Sequence, residues 1–331
     1  MKLDFDSGAN GLSGQAGHAH PRASRAADGL ILDPGRNCVA VANADKAAVL
    51  VDGSNYFTAL ESALHQARRG IVILCWDFDG RIRLRHDAPE SESPPLGQLL
   101  RSLVEKHEDL SVHILIWSVS LLHAPGNSTQ LVFGAEWQKH PRIHLKLDTR
   151  HPVYGAHHQK IVAIDDSIAF LGGIDLTVRR WDTPDHRPAN PLRTDPDGVE
   201  YHPVHDLQMV VTGDAAEAVA GVARQRWRDS GEPELPPRGR RRDIWPEGLE
   251  ADFARVPVAV ARTAPKHDGL KEIREAARLT VDALWAARRT IYIEAQYLTA
   301  SLVGAVLARK LRAADGPEVV IVVTRDSDGF I

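Results

Sequence analysis

Apolar and polar positions along the chain change period repeatedly. "AAVLVDG" reads as a strand and a turn, and "SNYFTALESALHQARR" follows with apolar residues at Tyr56, Phe57, Leu60, Ala63, Leu64 and Ala67. That spacing predicts an amphipathic helix, with Ser54 as its N-cap. "GIVILCWDFDG" is a short apolar run rich in β-branched residues and predicts a buried strand. The polar, Pro-containing "HDAPESESPP" predicts a loop. "LGQLLRSLVEKHED" returns to helical spacing and "LSVHILIW" predicts a second buried strand. Further on, "LQMVVTG" predicts a strand and "DAAEAVAGVARQRWRDSG" a helix capped by Asp214. Strands and helices in alternation, with the strands apolar throughout, predict an α/β fold around a largely buried sheet.

The stretches without periodicity set the expected boundaries. Residues 1–36 open with a Gly-, Ser-, Ala- and His-rich run and predict a flexible tail. Residues 37–230 then form a first lobe. Within it, "LTVRRWDTPDHRPANPLRTDPDGVEYHPVHD" is a long polar loop, of the length that is either functional or disordered. Residues 231–254, containing "EPELPPRGRRRDIWPEG", read as a solvated linker. After it the chain starts again. "ALHQARRGIVILCWDF" resembles "ALWAARRTIYIEAQYL", with Arg68 and Arg288 220 residues apart. "LGQLLRSLVEKHEDLSVHILIW" likewise resembles "LVGAVLARKLRAADGPEVVIVV". A duplicated α/β unit accounts for both matches and makes residues 255–331 a partial second lobe.

Composition narrows the function classes. The 331 residues suit two domains of ordinary size. A net charge of −4 argues against a general nucleic-acid binder, while leaving room for a local phosphate site. Two cysteines, one of them Cys75 inside an apolar run, give no disulfide scaffold and make a reducing compartment the default. The N-terminus lacks the apolar core of a secretory signal, and no run approaches the ~18 apolar residues of a membrane span. A cytoplasmic location is expected, with peripheral contact to a membrane left open.

One stretch breaks the apolar rule. "YGAHHQKIVAIDDSIAFLGGIDL" reads as two short strands around a turn, yet the first opens with His-His-Gln-Lys. On a strand, His158 and Lys160 share a face. A neutral imidazole is a good nucleophile, and an ammonium beside it anchors phosphate. The pair suits attack on phosphorus through a covalent adduct, with no metal or cofactor required. Asp165 has the opposite parity and ends the strand, away from the imidazole. Gly172 and Gly173 would let the backbone approach an anion. His157 and His158 face opposite ways and make a poor chelate. A His two residues before a Lys is also common in strands without any such role.

"HQKIVAID" has the form His-x-Lys-x-x-x-x-Asp, and "GGID" follows six residues later. This resembles the signature of the phospholipase D superfamily. "GGIDLTVRRWDTPDH", "YHPVHDLQMVVTGDAAEAV" and "IYIEAQYL" extend the resemblance from about Asn43 to the C-terminus. It implies a phospholipase D-like fold, with one complete lobe and the beginning of a pseudo-symmetric second. It implies His158 as the nucleophile that forms a phosphohistidine and Lys160 as the ligand of the phosphoryl oxygens. Asp165 would complete the signature structurally, and Asp206 would orient the imidazole. Gly172, Gly173 and Asp175 would line the phosphate pocket, with Arg180 and Trp181 also contacting substrate. The implied reaction is cleavage or transfer of phospholipid head groups to give phosphatidic acid at a membrane surface.

Two departures qualify the resemblance. Ala295 stands where an Asn is usual, and no second signature occurs in the sequence. The repeat offset places the counterpart of His158 near position 378, beyond Ile331. The expected partner is therefore a missing C-terminal lobe or a second copy of the chain, and little turnover is expected from these residues alone. Alternatives are a nuclease or cardiolipin-synthase-like phosphodiesterase of the same superfamily, or a non-catalytic phosphate- or lipid-binding remnant.

Overall fold

The computed structural model describes residues 31–118, 134–152, 155–238 and 242–324. Most of the predicted tail and the middle of the arginine run lie outside them. Packing divides the chain into two units, one from Pro34 to Thr280 and one that takes Val281 onward.

The larger unit is built on one mixed sheet. Its strands are β1 (Ala40–Val51), β2 (Gly70–Cys75), β3 (Ser111–Trp117), β4 (Ile143–Asp148), β5 (Ile161–Ile164), β6 (Ile168–Gly172), β7 (Leu207–Thr212) and β8 (Phe253–Val260). Their order is β4-β3-β2-β5-β6-β7-β1-β8. β2, β3 and β4 run parallel, and every other neighbouring pair is antiparallel. Parallel strands need crossovers, and α2 (Leu96–Lys106) supplies the one between β2 and β3. Its Leu96, Leu99, Leu100, Leu103 and Val104 recur at helical spacing and are all buried.

Successive residues of β2 alternate between two cores. Ile71, Ile73 and Cys75 join the core beneath α1 (Asp52–Leu64) and α2, while Val72 and Leu74 join the one beneath α3 (Asp214–Asp229). Helices thus cover both faces of the sheet. α3 packs through Ala215, Ala216, Ala220 and Ala223, whose small side chains let the helix lie close to the strands. Both cysteines are buried and free, and burial pushes the Cys75 thiol up. No helix among the described residues is long and apolar enough to cross a membrane.

Three local expectations change. α1 begins at Asp52, two residues before Ser54, and no side chain caps it. Ser54 instead donates its backbone N–H to the Asp182 carbonyl (2.9 Å). Asp52 takes a left-handed φ of 66°, and a Cβ at Gly53 would stand 2.1 Å from the Arg180 carbonyl, so only glycine fits there. Asp214 is the first residue of α3, and Gly213 (φ 73°) makes the turn before it. The stretch expected to be a solvated linker packs onto the larger unit. Ile244 is fully buried in its core, and the Arg238 N–H donates to Asp166 Oδ2 (2.8 Å). β8, expected in the second lobe, extends the first sheet beside β1.

The smaller unit contains a parallel pair, β11 (Thr290–Ala295) and β12 (Glu318–Val323), joined by α5 (Ser301–Leu311). Its core is Leu284, Ile291, Val306 and Leu307. Between β8 and β11 the chain forms a two-residue ladder, β9 (Thr263–Ala264) with β10 (Ile273–Arg274), and then α4 (Glu275–Ala286).

Candidate active site

β5 begins at Ile161 and pairs with Leu74 near the carboxyl end of β2. His158, Gln159 and Lys160 therefore project past that end, the usual place for ligands on α/β sheets. They precede the strand rather than form part of it. Lys160 is buried and points inward, with Nζ 2.9 Å from Asp175 Oδ2. His158 is exposed on one side, and the Trp76 ring stands edge-on to it with centroids 6.2 Å apart. The imidazole is the more exposed of the two, and the ammonium lies buried, 3.4 Å from the His158 carbonyl.

The electrostatics around His158 favour the neutral ring. Partial loss of solvent lowers its pKa most, and the Lys160 cation lowers it further. Asp175 and Asp206 pull it back up, and Arg180 pushes it down. Lys160, Asp175, Arg180 and Asp206 are thus within electrostatic reach of one imidazole. Asp206 packs against Gly173, where a Cβ would lie 2.1 Å from its Oδ1. That oxygen also accepts the Leu207 N–H (2.8 Å).

The two glycines serve a purpose different from the one expected. The Gly173 N–H donates to the Leu207 carbonyl (3.0 Å) and the Gly172 N–H to the Lys160 carbonyl (3.3 Å). Both donors are engaged within the sheet, so the pair forms no anion nest. A Cβ at Gly172 would collide with Gln208 Oε1 at 2.3 Å. Glycine is needed at both positions so that the Asp206–Gln208 segment can approach.

Asp165 keeps the structural place expected of it, and Trp181 is occupied within the protein. Asp165 sits at the far end of β5, buried, and accepts the N–H groups of Arg68 (2.8 Å), Arg69 (2.7 Å) and Gly70 (2.8 Å). It locks the entry to β2 and does not meet the imidazole. With Asp166 it forms the β5–β6 turn, both residues at φ 52°. Trp181 is buried and stacked on His86 (4.6 Å, 5° between planes). His157 turns from its neighbour toward Asp148, with Nε2 3.5 Å from Oδ2, and toward Arg226.

Several residues around the site lay outside the motif reading. Trp76 follows the last residue of β2, and its position at a parallel strand's carboxyl end was the available signal. The Trp76 N–H donates to Asp175 Oδ1 (2.9 Å), which fixes the carboxylate paired with Lys160. Asp52 accepts the Asp206 N–H (3.2 Å), and its own N–H donates to the Asp206 carbonyl (2.9 Å). The long polar loop is organised by a buried pair, Asp182 and Arg193 (2.9 Å). Arg193 also donates to the carbonyls of Tyr201, Arg187 and Pro188.

The family model described as Phospholipase D matches residues 63–243, more than half of the chain. Phospholipase D C of Dictyostelium discoideum is 28% identical over 206 residues, covering 54% of this chain and 12% of that protein. Phospholipase D1 of Homo sapiens is 31% identical over 144 residues, covering 41% and 13%. The chain thus spans a small part of the length of these relatives. Among solved structures, phosphatidylserine synthase of Haemophilus influenzae Rd KW20 aligns over 86% of this chain and 62% of its own, at 11% identity and a TM-score of 0.49. Nuc from Salmonella typhimurium aligns over 56% and 96%, at 15% identity and a TM-score of 0.36. With the family model covering more than half of the chain, from the end of α1 to the segment beyond α3, the chain belongs to the phospholipase D family.

Proposed function

We propose that the chain carries the nucleophilic half of a phosphodiesterase that cleaves or transfers phospholipid head groups. The observation that carries this reading is the His158 imidazole, open to solvent, its pKa lowered by burial and Lys160, within electrostatic reach of Asp175, Asp206 and Arg180. A ring nitrogen attacks phosphorus, an N–P bond forms, and the bond to the head-group oxygen breaks. Lys160 and Arg180 steady the charge on the non-bridging oxygens. Asp206 orients the ring and stabilises its cationic form, as the carboxylate of a catalytic triad does. The departing alkoxide needs a proton. In the family resemblance the donor is the histidine of a second signature, which a C-terminal lobe or a second copy supplies. Water then attacks the phosphohistidine and releases phosphatidic acid, while an alcohol in its place gives head-group exchange.

Lipid is preferred to nucleic acid because the chain is acidic overall, with a net charge of −4. The test is adduct trapping. The chain is mixed with vesicles of phosphate-labelled phosphatidyl-p-nitrophenol, or with phosphate-labelled thymidine 5′-p-nitrophenyl phosphate, whose leaving group departs without a proton donor, and quenched in denaturant. Label on the protein from lipid, absent in His158→Ala, is expected. Label from the nucleotide alone would make the chain a nuclease, and none from either would remove His158 as nucleophile.

A further inference from the structure

Asp52 is fully buried at the start of α1, and its two oxygens are treated unequally. Oδ1 accepts from the Asp206 N–H and lies 2.8 Å from His205 Nδ1. Oδ2 has no hydrogen-bond partner. The nearest polar group is His186 Nε2, 3.3 Å away and outside hydrogen-bond geometry. One ligand atom from each of Asp52, His186 and His205 falls within 4.8 Å of the others.

The tautomer of His186 sharpens the problem. Its Nδ1 stands 3.1 Å from Asp182 Oδ2, so the ring proton belongs there. Nε2 then faces a buried carboxylate oxygen with no hydrogen bond between them. A bare contact of that kind is repulsive, and a cation between the two atoms resolves it. Tetrahedral ions with bonds of about 2.0–2.1 Å set neighbouring ligand atoms about 3.3 Å apart, which matches the Asp52–His186 pair, while the His205 ring would have to shift slightly to join them. Asp182 behind His186 is the carboxylate–histidine arrangement that orients metal-bound imidazoles. His186 and His205 are partly open to solvent, which gives an ion a way in and a place for water as fourth ligand.

We infer that Asp52, His186 and His205 form a site for a divalent ion of the zinc class, with Asp182 positioning His186. Two imidazoles and one carboxylate are the donor set such ions take. The ion would fasten the 182–205 loop to the start of α1. Asp52 exchanges backbone contacts with Asp206, so the same ion would hold the segment that carries the proposed orienting carboxylate. The role is structural, and the ion does not touch phosphorus. The inference stands apart from the proposed function.

The test begins with the full chain stripped of metal by a chelator and titrated with zinc. One equivalent should bind. At a hundredfold excess over Kd, the melting temperature should rise by about 5–10 °C. Asp182→Asn should weaken binding about 10–100-fold, and His186→Ala or His205→Ala by more, while the exposed His202→Ala leaves it unchanged. Near-ultraviolet circular dichroism of each metal-free variant shows whether it folds. X-ray absorption of the zinc-loaded wild type needs no variant and should show two imidazoles among otherwise light donors. The inference is overturned if the wild type takes up no equivalent of zinc, as a plain imidazolium–carboxylate network would behave. It is also overturned if both histidine variants bind as tightly as the wild type, or if the absorption spectrum lacks imidazole.

Discussion

β2-α2-β3 in the larger unit and β11-α5-β12 in the smaller one are the same motif under different covers. In each, a helix ends, two arginines follow, and a strand pairs in parallel with the next strand after an intervening helix. The entry hydrogen bond repeats: the Ser111 N–H donates to the Arg69 carbonyl (3.1 Å), and the Glu318 N–H to the Arg289 carbonyl (2.9 Å). Register repeats too, with Val72 opposite His113 and Tyr292 opposite Val320. Burial inverts. His113 is 6% exposed while Val320 is 39% exposed, and Val72 is 8% exposed while Tyr292 is 59% exposed. Residue hydrophobicity therefore does not decide which strand is covered. β2 has β5 as a second neighbour and β11 has none among the described residues. The strand that closes the sheet beside β2, β5, is entered through His158 and Lys160, which lie by the carboxyl end of β2. Closing the sheet and building the site are one event in the larger unit.

The largest effect should come from breaking that closure. Asp165→Ala leaves three N–H groups at the entry to β2 without their acceptor. A buried donor left unpaired costs about 1–3 kcal/mol, so roughly 4 kcal/mol should be lost in urea unfolding of the larger unit. No loss beyond 1 kcal/mol would mean that Asp165 is not the lock.

A matched pair tests the inversion of burial directly. Ile73 and Ile293 hold equivalent registers, opposite Ile114 and Ile321. Ile73 is 1% exposed in the main core, whereas Ile293 only flanks a small cluster. Ile73→Ala should cost about 3 kcal/mol and Ile293→Ala about 1 kcal/mol. Hydrogen exchange at β2 and at β11 reads the two separately. Equal losses would show that the two motifs are equally covered.

The last effect, absent at neutral pH and growing only in acid, concerns His113. Burial holds its pKa down, from the usual 6.5 to about 3, so the folded protein keeps it neutral while the unfolded chain protonates it. Its contribution to stability is complete above pH 6.5 and is lost as pH falls from there toward 3. The loss approaches about 1 kcal/mol per pH unit. His113→Phe should flatten that part of the stability–pH curve, and an unchanged slope would assign the acid sensitivity elsewhere.

What could be read from the sequence follows from range. The α/β alternation, the buried faces of α1 and α2 and the repeat are local patterns, and all three appear in the structure. So does the hairpin of β5 and β6. The Asp165 lock reaches across 97 residues to Arg68, and Asp52 meets Asp206 across 154. No local spacing encodes such contacts. The inward turn of Lys160 was hidden for the same reason, because Asp175 reaches it only through the pairing of β5 with β6. Prolines and arginines at 231–254 looked solvated. Ile244 and the pairing of Arg238 with Asp166 bind that segment to the core instead.

The central claim is that the larger unit alone carries a working nucleophile. The direct measurement uses a p-nitrophenyl phosphodiester, whose leaving group is acidic enough to depart without a proton donor. The chain should release a burst of p-nitrophenolate approaching one equivalent and then slow, because adduct formation does not need the second histidine. The burst should persist below the pH at which a free imidazole becomes half protonated, since the His158 pKa is lowered. His158→Ala should lose the burst by at least about 10³-fold while keeping its fold. A burst of undiminished size in His158→Ala, or none from the folded wild type, would contradict the account.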